Sequence, residues 1–149
     1  MQLKITEGPA AENAVIQARL HELKSLCVTL ALNGFSTGYS LLPSLHLWPV
    51  AVIKIGRSFV CQVTSSAHHQ VLVEATVLVA RCLGMSTVAE GVETLQQARL
   101  LRTLKCDKGQ GYLCARPLDA SAATTWLAAQ VPAAGLPTRM PSPQRAATA

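Results

Sequence analysis

Short apolar segments alternate with helical segments along most of this 149-residue chain. No Asn-Gly turn joins two of the apolar segments directly, so each is expected to connect to the next through a crossover. Strands that are buried on both faces of a parallel sheet appear as continuous apolar runs, as these segments do. The pattern therefore predicts an α/β domain with mainly parallel strands. We expect about five strands, at residues 2–6, 27–32, 51–55, 86–90 and 111–115.

Helical spacing of apolar residues predicts the elements between the strands. The predicted helices are residues 10–26, a brief proline-interrupted helix at 41–47, and residues 71–84, 94–106 and 121–130. After residue 130 the sequence becomes rich in Pro, Ala, Thr and Arg. The chain is therefore predicted to consist of one domain over residues 1–130 and a disordered tail over residues 131–149.

Charge and composition argue against several classes of protein. The 13 Lys and Arg residues and 8 Asp and Glu residues give a net charge of +5, but these charges are scattered. We therefore expect no binding of nucleic acid. No apolar stretch approaches the ~20 residues that cross a bilayer, and the N-terminal residues do not resemble a secretory signal, so we expect a cytoplasmic protein without membrane contact. The five cysteines form no C-x-x-C pair and are predicted to be buried free thiols.

The carboxyl ends of the predicted strands carry most of the candidate functional residues. In parallel α/β folds these ends form one edge of the sheet, where ligands bind. Read in chain order, the residues at or just beyond these ends are Lys4 and Glu7, Asn33 and Gly34, Lys54 and Gly56, Glu90 and Glu93, and Gln110.

Five segments around these positions resemble, in order and spacing, the EAL domain family of bacterial phosphodiesterases that linearise cyclic di-GMP. The segments are LKITE, LALNGFSTGYSLL, VIKIGRSF, VAEGVET and CDKGQGYLCARPL. The resemblance covers roughly residues 2–130 and corresponds to the later part of that domain. It implies a truncated, partial TIM-like (β/α) barrel that lacks the strand with the family's Glu-Ala-Leu motif and the nearby arginine that grips the substrate.

The resemblance also implies that the metal site is degenerate. The family uses two Mg²⁺ or Mn²⁺ ions, which activate a water molecule and clamp the phosphate, and such hard cations need several anionic oxygens. The family has acids at the positions of Lys4, Asn33, Gly34 and Gly56. Because two unit charges 4 Å apart interact with ~4 kcal/mol at an effective dielectric constant near 20, Lys4 replaces attraction for a cation by comparable repulsion. We therefore expect neither a metal cofactor nor hydrolysis.

Other residues match the family's functional positions. The resemblance assigns vestigial catalytic roles to Lys54, which orients the attacking water, and to Glu90, a base or metal-shell group. Glu7 braces the loop after the second strand, and Glu93 and Gln110 lie at the margin of the site. Structural interpretations stand beside these: Lys54 pairs with Glu90, and Glu7 and Gln110 only support loops.

Two smaller features also have a structural interpretation beside the functional one. Arg57 starts a helix rather than contacting phosphate. Gly91 supplies a turn or a close backbone approach.

A closed barrel needs about eight strands, so five would expose an apolar face and two strand edges. The chain is therefore predicted to associate with a protein partner or with itself. The favoured function is a noncatalytic EAL-like module for protein interaction or regulation in cyclic di-GMP signalling, with weak binding of cyclic di-GMP. The alternative is a metal-dependent phosphodiesterase, either residual or complemented by a missing N-terminal half. A gene remnant without a selected function also remains open.

Overall fold

Five strands alternate with helices in the computed structural model, which describes residues 1–6, 14–35 and 45–130. The elements are β1 (Gln2–Thr6), α1 (Ala14–Ser25), β2 (Thr29–Phe35), β3 (Val52–Ile55), α2 (Arg57–Val60), α3 (Ala67–Cys82), β4 (Ser86–Glu90), α4 (Leu95–Thr103), β5 (Lys108–Gln110) and α5 (Ala120–Gln130). A 3-10 turn over Leu45–Leu47 precedes β3. The position of Glu7, most of the predicted helix at 41–47 and the predicted tail at 131–149 lie outside the described residues.

The strands form one parallel sheet in the order β1-β2-β3-β4-β5. This confirms the predicted α/β class and the parallel pairing. Sequential strands lie side by side, as expected when each is linked to the next by a crossover that packs on the same face. Within the described residues β1 and β5 are the two edges of an open sheet.

The core lies between the sheet and its helices. One buried cluster is centred on Leu30, Leu32, Ile53 and Trp48. A second is centred on β3, α3 and α4 and includes Ile55. Because side chains alternate along a strand, the strand residues of these two clusters define the helix-facing side of the sheet. All four residues of β3 are buried, which makes β3 the central strand of the sheet by burial as well as by order.

The predicted strand at 111–115 is wrong, because β5 ends at Gln110 and the next residues turn. The N–H of Val92 donates to the Gln110 carbonyl at 3.1 Å, and the N–H of Leu113 donates to the Val92 carbonyl at 3.0 Å. A Cβ on Gly111 would lie 2.2 Å from the carbonyl oxygen of Val92. Gly111 therefore lets the chain turn tightly against the backbone of Val92. The strand β5 itself is exposed and has no apolar pattern.

The expectation of an apolar open face is also wrong for the described residues. The side chains that alternate away from the helices are mostly polar or small, and only Val52 and Val88 are large apolar groups. They are Gln2, Lys4, Thr6, Thr29, Ala31, Asn33, Val52, Lys54, Ser86, Val88, Glu90, Lys108 and Gln110. The prediction that the chain associates with a partner or with itself therefore rests on the two sheet edges and not on an exposed apolar face.

The cysteines are free, as predicted, but four of the five are exposed. Cys27 follows α1, Cys61 follows α2 and Cys82 ends α3, so each lies at an element end rather than in the core. Helix α3 begins four residues earlier than predicted because Ser66 caps it, its hydroxyl accepting from the N–H of His69.

The chain divides into one compact unit over Met1–Arg116 and a second over Pro117–Ala149. The described part of the second unit contains α5, whose first turn is capped by Asp119 through the N–H of Ala122 at 2.8 Å. The predicted boundary after residue 130 stays a prediction. Among the helices of the described residues, none combines the length and apolar content that a bilayer crossing requires.

Candidate functional site at the carboxyl edge of the sheet

Four residues predicted from the strand ends meet on the polar face of the sheet. They are Lys4 on β1, Lys54 on β3, Glu90 at the end of β4 and Gln110 at the end of β5. Glu90 and Gln110 are direct partners in the β4–β5 register. The sheet therefore brings together side chains that are up to 106 residues apart in sequence.

The Lys54 ammonium is buried and has a carboxylate partner. Its side chain is 4% exposed and donates to Oε1 of Glu90. It also lies 3.4 Å from Oε1 of Gln110. A buried charge is tolerated only when it is paired and hydrogen-bonded, so Glu90 is the counter-ion on which Lys54 depends. The predicted Lys54–Glu90 pair is thus confirmed as a contact.

Lys4 approaches the same carboxylate oxygen from the edge of the sheet. Its Nζ lies 3.8 Å from Oε1 of Glu90, and its side chain is 56% exposed. Neighbouring strands are about 4.8 Å apart, so β1 would lie about 14 Å from β4 in a flat sheet. Contact over three strand spacings requires the two long side chains to extend toward each other over this face, and curvature of the sheet, as in part of a barrel wall, would shorten the gap.

Glu93 and Arg57 form a second ion pair beside the first. Nη2 of Arg57 donates to Oε1 of Glu93 at 2.7 Å, with both side chains well exposed. Arg57 is the first residue of α2, so the predicted helix start is confirmed. Gly91 has a φ of +74°, and a Cβ there would lie 2.3 Å from Cγ of Arg57. The glycine is required both by its backbone conformation and by the passage of the Arg57 side chain over it.

Glu93 is held in place by two residues that the sequence analysis did not identify. The Gln97 side-chain oxygen accepts from the N–H of Glu93 at 2.8 Å and from the N–H of Thr94 at 3.0 Å. The Thr94 hydroxyl in turn accepts from the N–H of Gln97 at 3.1 Å, which completes a capping box at the start of α4. The T-x-x-Q spacing before an apolar run was the signal that could have revealed it.

Asp107 is a further unpredicted residue, at the amino end of the same strands. Its Oδ2 accepts from both the N–H and the hydroxyl of Thr87, each at 2.8 Å. The Thr87 hydroxyl accepts from the N–H of Asp107 at 3.0 Å. These three hydrogen bonds fix Asp107, the residue before β5, to Thr87 of β4. They thereby help to set the β4–β5 register that places Gln110 beside Glu90. No periodic pattern marks such a residue in the sequence.

The remaining predicted positions lie nearby but offer few ligands for a metal. Asn33 in β2 is in register with Thr6 at the end of β1, and its Oδ1 is buried without a partner in the described part of the chain. Gly34 is in β2, and Gly56 is the N-cap of α2 with an extended backbone. One neutral amide oxygen is a weak substitute for a set of carboxylates.

The chemistry of this donor set does not fit the two divalent ions that the sequence resemblance implies. Within residues 1–6, 14–35 and 45–130, no group of three His, Cys, Asp or Glu side chains could hold a metal. Glu90, the carboxylate at the centre of the described cluster, already faces two ammonium groups. A cation that approached Glu90 would have to displace Lys54 from its buried pair and would be repelled by Lys4.

A cavity of about 220 Å³ opens beside this cluster. Its walls come from α2, the β4–α4 loop and the turn after β5, and consist of Arg57, Glu90, Gly91, Glu93, Gln110, Gly111 and Tyr112. Four of these seven residues carry charged or amide side chains, so the cavity can place polar partners around a ligand. Arg116 lies over the Tyr112 ring, with its guanidinium carbon 5.0 Å from the ring centroid.

Comparison with known proteins identifies relatives of the whole first unit. The family model for the EAL domain matches residues 1–117. The cyclic di-GMP phosphodiesterase NbdA of Pseudomonas aeruginosa is 37% identical over 130 residues, covering 87% of this chain and 17% of the relative. The first curated relatives are much longer proteins, of which this chain spans 14–17%.

Solved structures share the fold. The EAL domain of Mycobacterium smegmatis DcpA superposes with a TM-score of 0.79 at 36% identity, covering 86% of this chain and 58% of that one. The complex of the PaMucR phosphodiesterase with c-di-GMP gives a TM-score of 0.77 at 34% identity, covering 82% of this chain and 50% of that one. The strands described above therefore correspond to part of the sheet in these larger domains.

Proposed function

The chain belongs to the EAL domain family, and from that premise we propose that it is a noncatalytic module that regulates cyclic di-GMP signalling through protein contacts. The observation that carries this proposal is the ion pairing of the Glu90 carboxylate with two lysines. Its Oε1 accepts from the buried Lys54 and faces Lys4 at 3.8 Å. The carboxylate is thus engaged by the chain's own cations.

Metal-dependent hydrolysis of a phosphodiester needs an activated water and a clamp on the phosphate oxygens. Among the described residues, this edge of the sheet supplies two amides, two ammonium groups and a carboxylate already in an ion pair. Glu93, the other carboxylate there, is paired with Arg57. Because both acids in the described part of this edge are engaged, we expect no general base or metal cage for hydrolysis.

Relatives support the signalling context of the proposal. NbdA is a cyclic di-GMP phosphodiesterase, and PaMucR was solved with c-di-GMP bound. Cyclic di-GMP is therefore the candidate ligand of this chain, with weak affinity, and we assign the module to the cytoplasm, where a signalling nucleotide would meet it. The edges of β1 and β5 are unpaired within the described residues and offer backbone groups for a protein partner or a second copy.

The retention of Lys54, Glu90, Glu93 and Gln110 supports the competing proposal of a phosphodiesterase. In that case a further polypeptide would have to supply the missing acids. The two functions differ in metal-dependent turnover, which can be measured directly.

The test incubates the purified chain with cyclic di-GMP and either Mg²⁺ or Mn²⁺ and quantifies the linear dinucleotide by chromatography. We expect no product above that formed in the presence of EDTA. A Glu90→Gln variant serves as the control for a contaminating enzyme. Metal-dependent product that disappears in this variant would refute the noncatalytic proposal, and light scattering on the same sample would report self-association.

A further inference from the structure

An excess of positive charge remains at the carboxyl edge of the sheet after its ion pairs are assigned. Arg57 is paired with Glu93, and the buried Lys54 is paired with Glu90. Lys4 is the third cation of this cluster, and it shares the Glu90 oxygen that Lys54 already occupies. Among the described residues of the cluster, one positive charge is therefore left without a carboxylate of its own.

Lys4 is also within reach of a ligand, and the other exposed cation of this cluster, Arg57, is already paired with Glu93. Its side chain is 56% exposed, whereas that of Lys54 is 4% exposed. The 3.8 Å separation between Nζ of Lys4 and Oε1 of Glu90 is longer than a hydrogen bond, so this contact is purely electrostatic. The N–H donors of Lys4 remain available to an acceptor that enters from solvent.

We propose that Lys4 is a built-in cation that binds the phosphate of a nucleotide without a divalent metal. This inference rests on the proposed function, since in a metal-loaded phosphodiesterase the metals would contact the phosphate. A lysine ammonium binds phosphate as a point charge and needs no particular fork geometry. The charge that excludes Mg²⁺ from this edge is the same charge that attracts an anion.

A second observation points to a ligand with an aromatic ring. Tyr112 lines the cavity together with Glu90 and Gln110, and it is 51% exposed. The Arg116 guanidinium lies over the ring at 5.0 Å, a cation–π arrangement that holds the tyrosine in place. An exposed aromatic ring of this kind is a platform on which a base can stack. A phosphate and a base together define a nucleotide.

The experiment measures equilibrium binding of cyclic di-GMP by calorimetry in buffer with EDTA. Lys4→Gln removes the charge and Lys4→Arg keeps it. Lys24→Gln is the matched control, because Lys24 is an exposed lysine in the last turn of α1 and its loss changes the net charge equally. We expect Lys4→Gln to weaken binding about fivefold, the effect of an exposed charge pair worth ~1 kcal/mol. Lys4→Arg and Lys24→Gln should bind like the wild type, and added salt should weaken wild-type binding.

The stacking contact is tested separately with Tyr112→Ala and Tyr112→Phe. We expect the alanine variant to bind more weakly and the phenylalanine variant to bind normally. Inorganic phosphate should compete only at much higher concentration than the dinucleotide. Equal competition by inorganic phosphate would overturn the assignment of a nucleotide.

Three results would overturn the role of Lys4: no binding in EDTA, binding that requires Mg²⁺, or equal affinities for Lys4→Gln and Lys24→Gln. These outcomes are independent of the proposed noncatalytic function, which is contradicted only by the appearance of linear product. A chain that hydrolyses the dinucleotide and a chain that fails to bind it are therefore told apart. Circular dichroism of each variant checks that the sheet is intact.

Discussion

Removal of the Glu90 charge is the most direct test of the ion pair at the centre of the site. The Lys54 side chain is 4% exposed and its carboxylate partner is 23% exposed. Loss of one member of a fully buried pair costs about 3–5 kcal/mol because the other charge is left uncompensated. Since water reaches Glu90 in part, we expect Glu90→Gln to lower the free energy of unfolding by about 2–3 kcal/mol. Urea denaturation followed by circular dichroism measures this change.

Two further variants separate the pair from a general effect of charge. Glu93→Gln removes a carboxylate from the exposed pair with Arg57, and an exposed pair contributes only about 0–1 kcal/mol. Lys54→Met combined with Glu90→Gln removes both charges from the buried pair. It should be more stable than Glu90→Gln alone, because no ammonium is then buried without a counter-ion. Equal losses in Glu90→Gln and Glu93→Gln, or a wild-type stability for Glu90→Gln, would refute this reasoning.

Three other substitutions test the framework around the site by thermal or urea denaturation. Gly91→Ala should destabilise the protein by about 1–3 kcal/mol, because its φ is +74° and a Cβ would meet Arg57; unchanged stability would contradict the described turn. Thr94→Ala should cost about 1 kcal/mol through loss of the cap on α4, and Thr94→Ser should keep most of it. Asp107→Ala should cost about 1–3 kcal/mol, because the N–H and hydroxyl of Thr87 lose their shared acceptor. Hydrogen exchange at β4 and β5 unchanged from the wild type would count against that link.

Most of the sheet was predictable because the three pairings among β1, β2, β3 and β4 rest on apolar runs with few alternatives. Segments such as VIKI are buried along their full length, and burial of this kind leaves a continuous signal in the sequence. β5 has no such signal. Its three residues are exposed, and the apolar residues that follow it serve a turn packed on Val92. A strand defined only by backbone pairing at a sheet edge cannot be read from hydrophobicity.

The central residues of the site and the Lys54–Glu90 pair were predictable, but the contact of Lys4 with Glu90 was not. Parallel strands present their carboxyl ends at one edge, which is enough to place Lys54, Glu90 and Gln110 together. That Lys4 reaches the same oxygen of Glu90 depends on how two long side chains extend over the face from strands three spacings apart. This reach depends on the packing of the whole sheet, so no local pattern predicted this contact. The polar character of the open face was not predicted for a related reason. It depends on which side of each strand the helices cover.

The identity of residue 4 decides the sign of the charge that this edge presents to a ligand. With an acid there, two carboxylates would face one buried ammonium, and the excess charge would attract a cation. With Lys4, two ammonium groups face one carboxylate, and the excess attracts an anion. Lys54 cannot make this difference, because its burial commits it to Glu90 in either case. A single exposed side chain on the edge strand therefore sets the sign of the excess charge around Glu90, and that sign is the basis of the proposed role of Lys4.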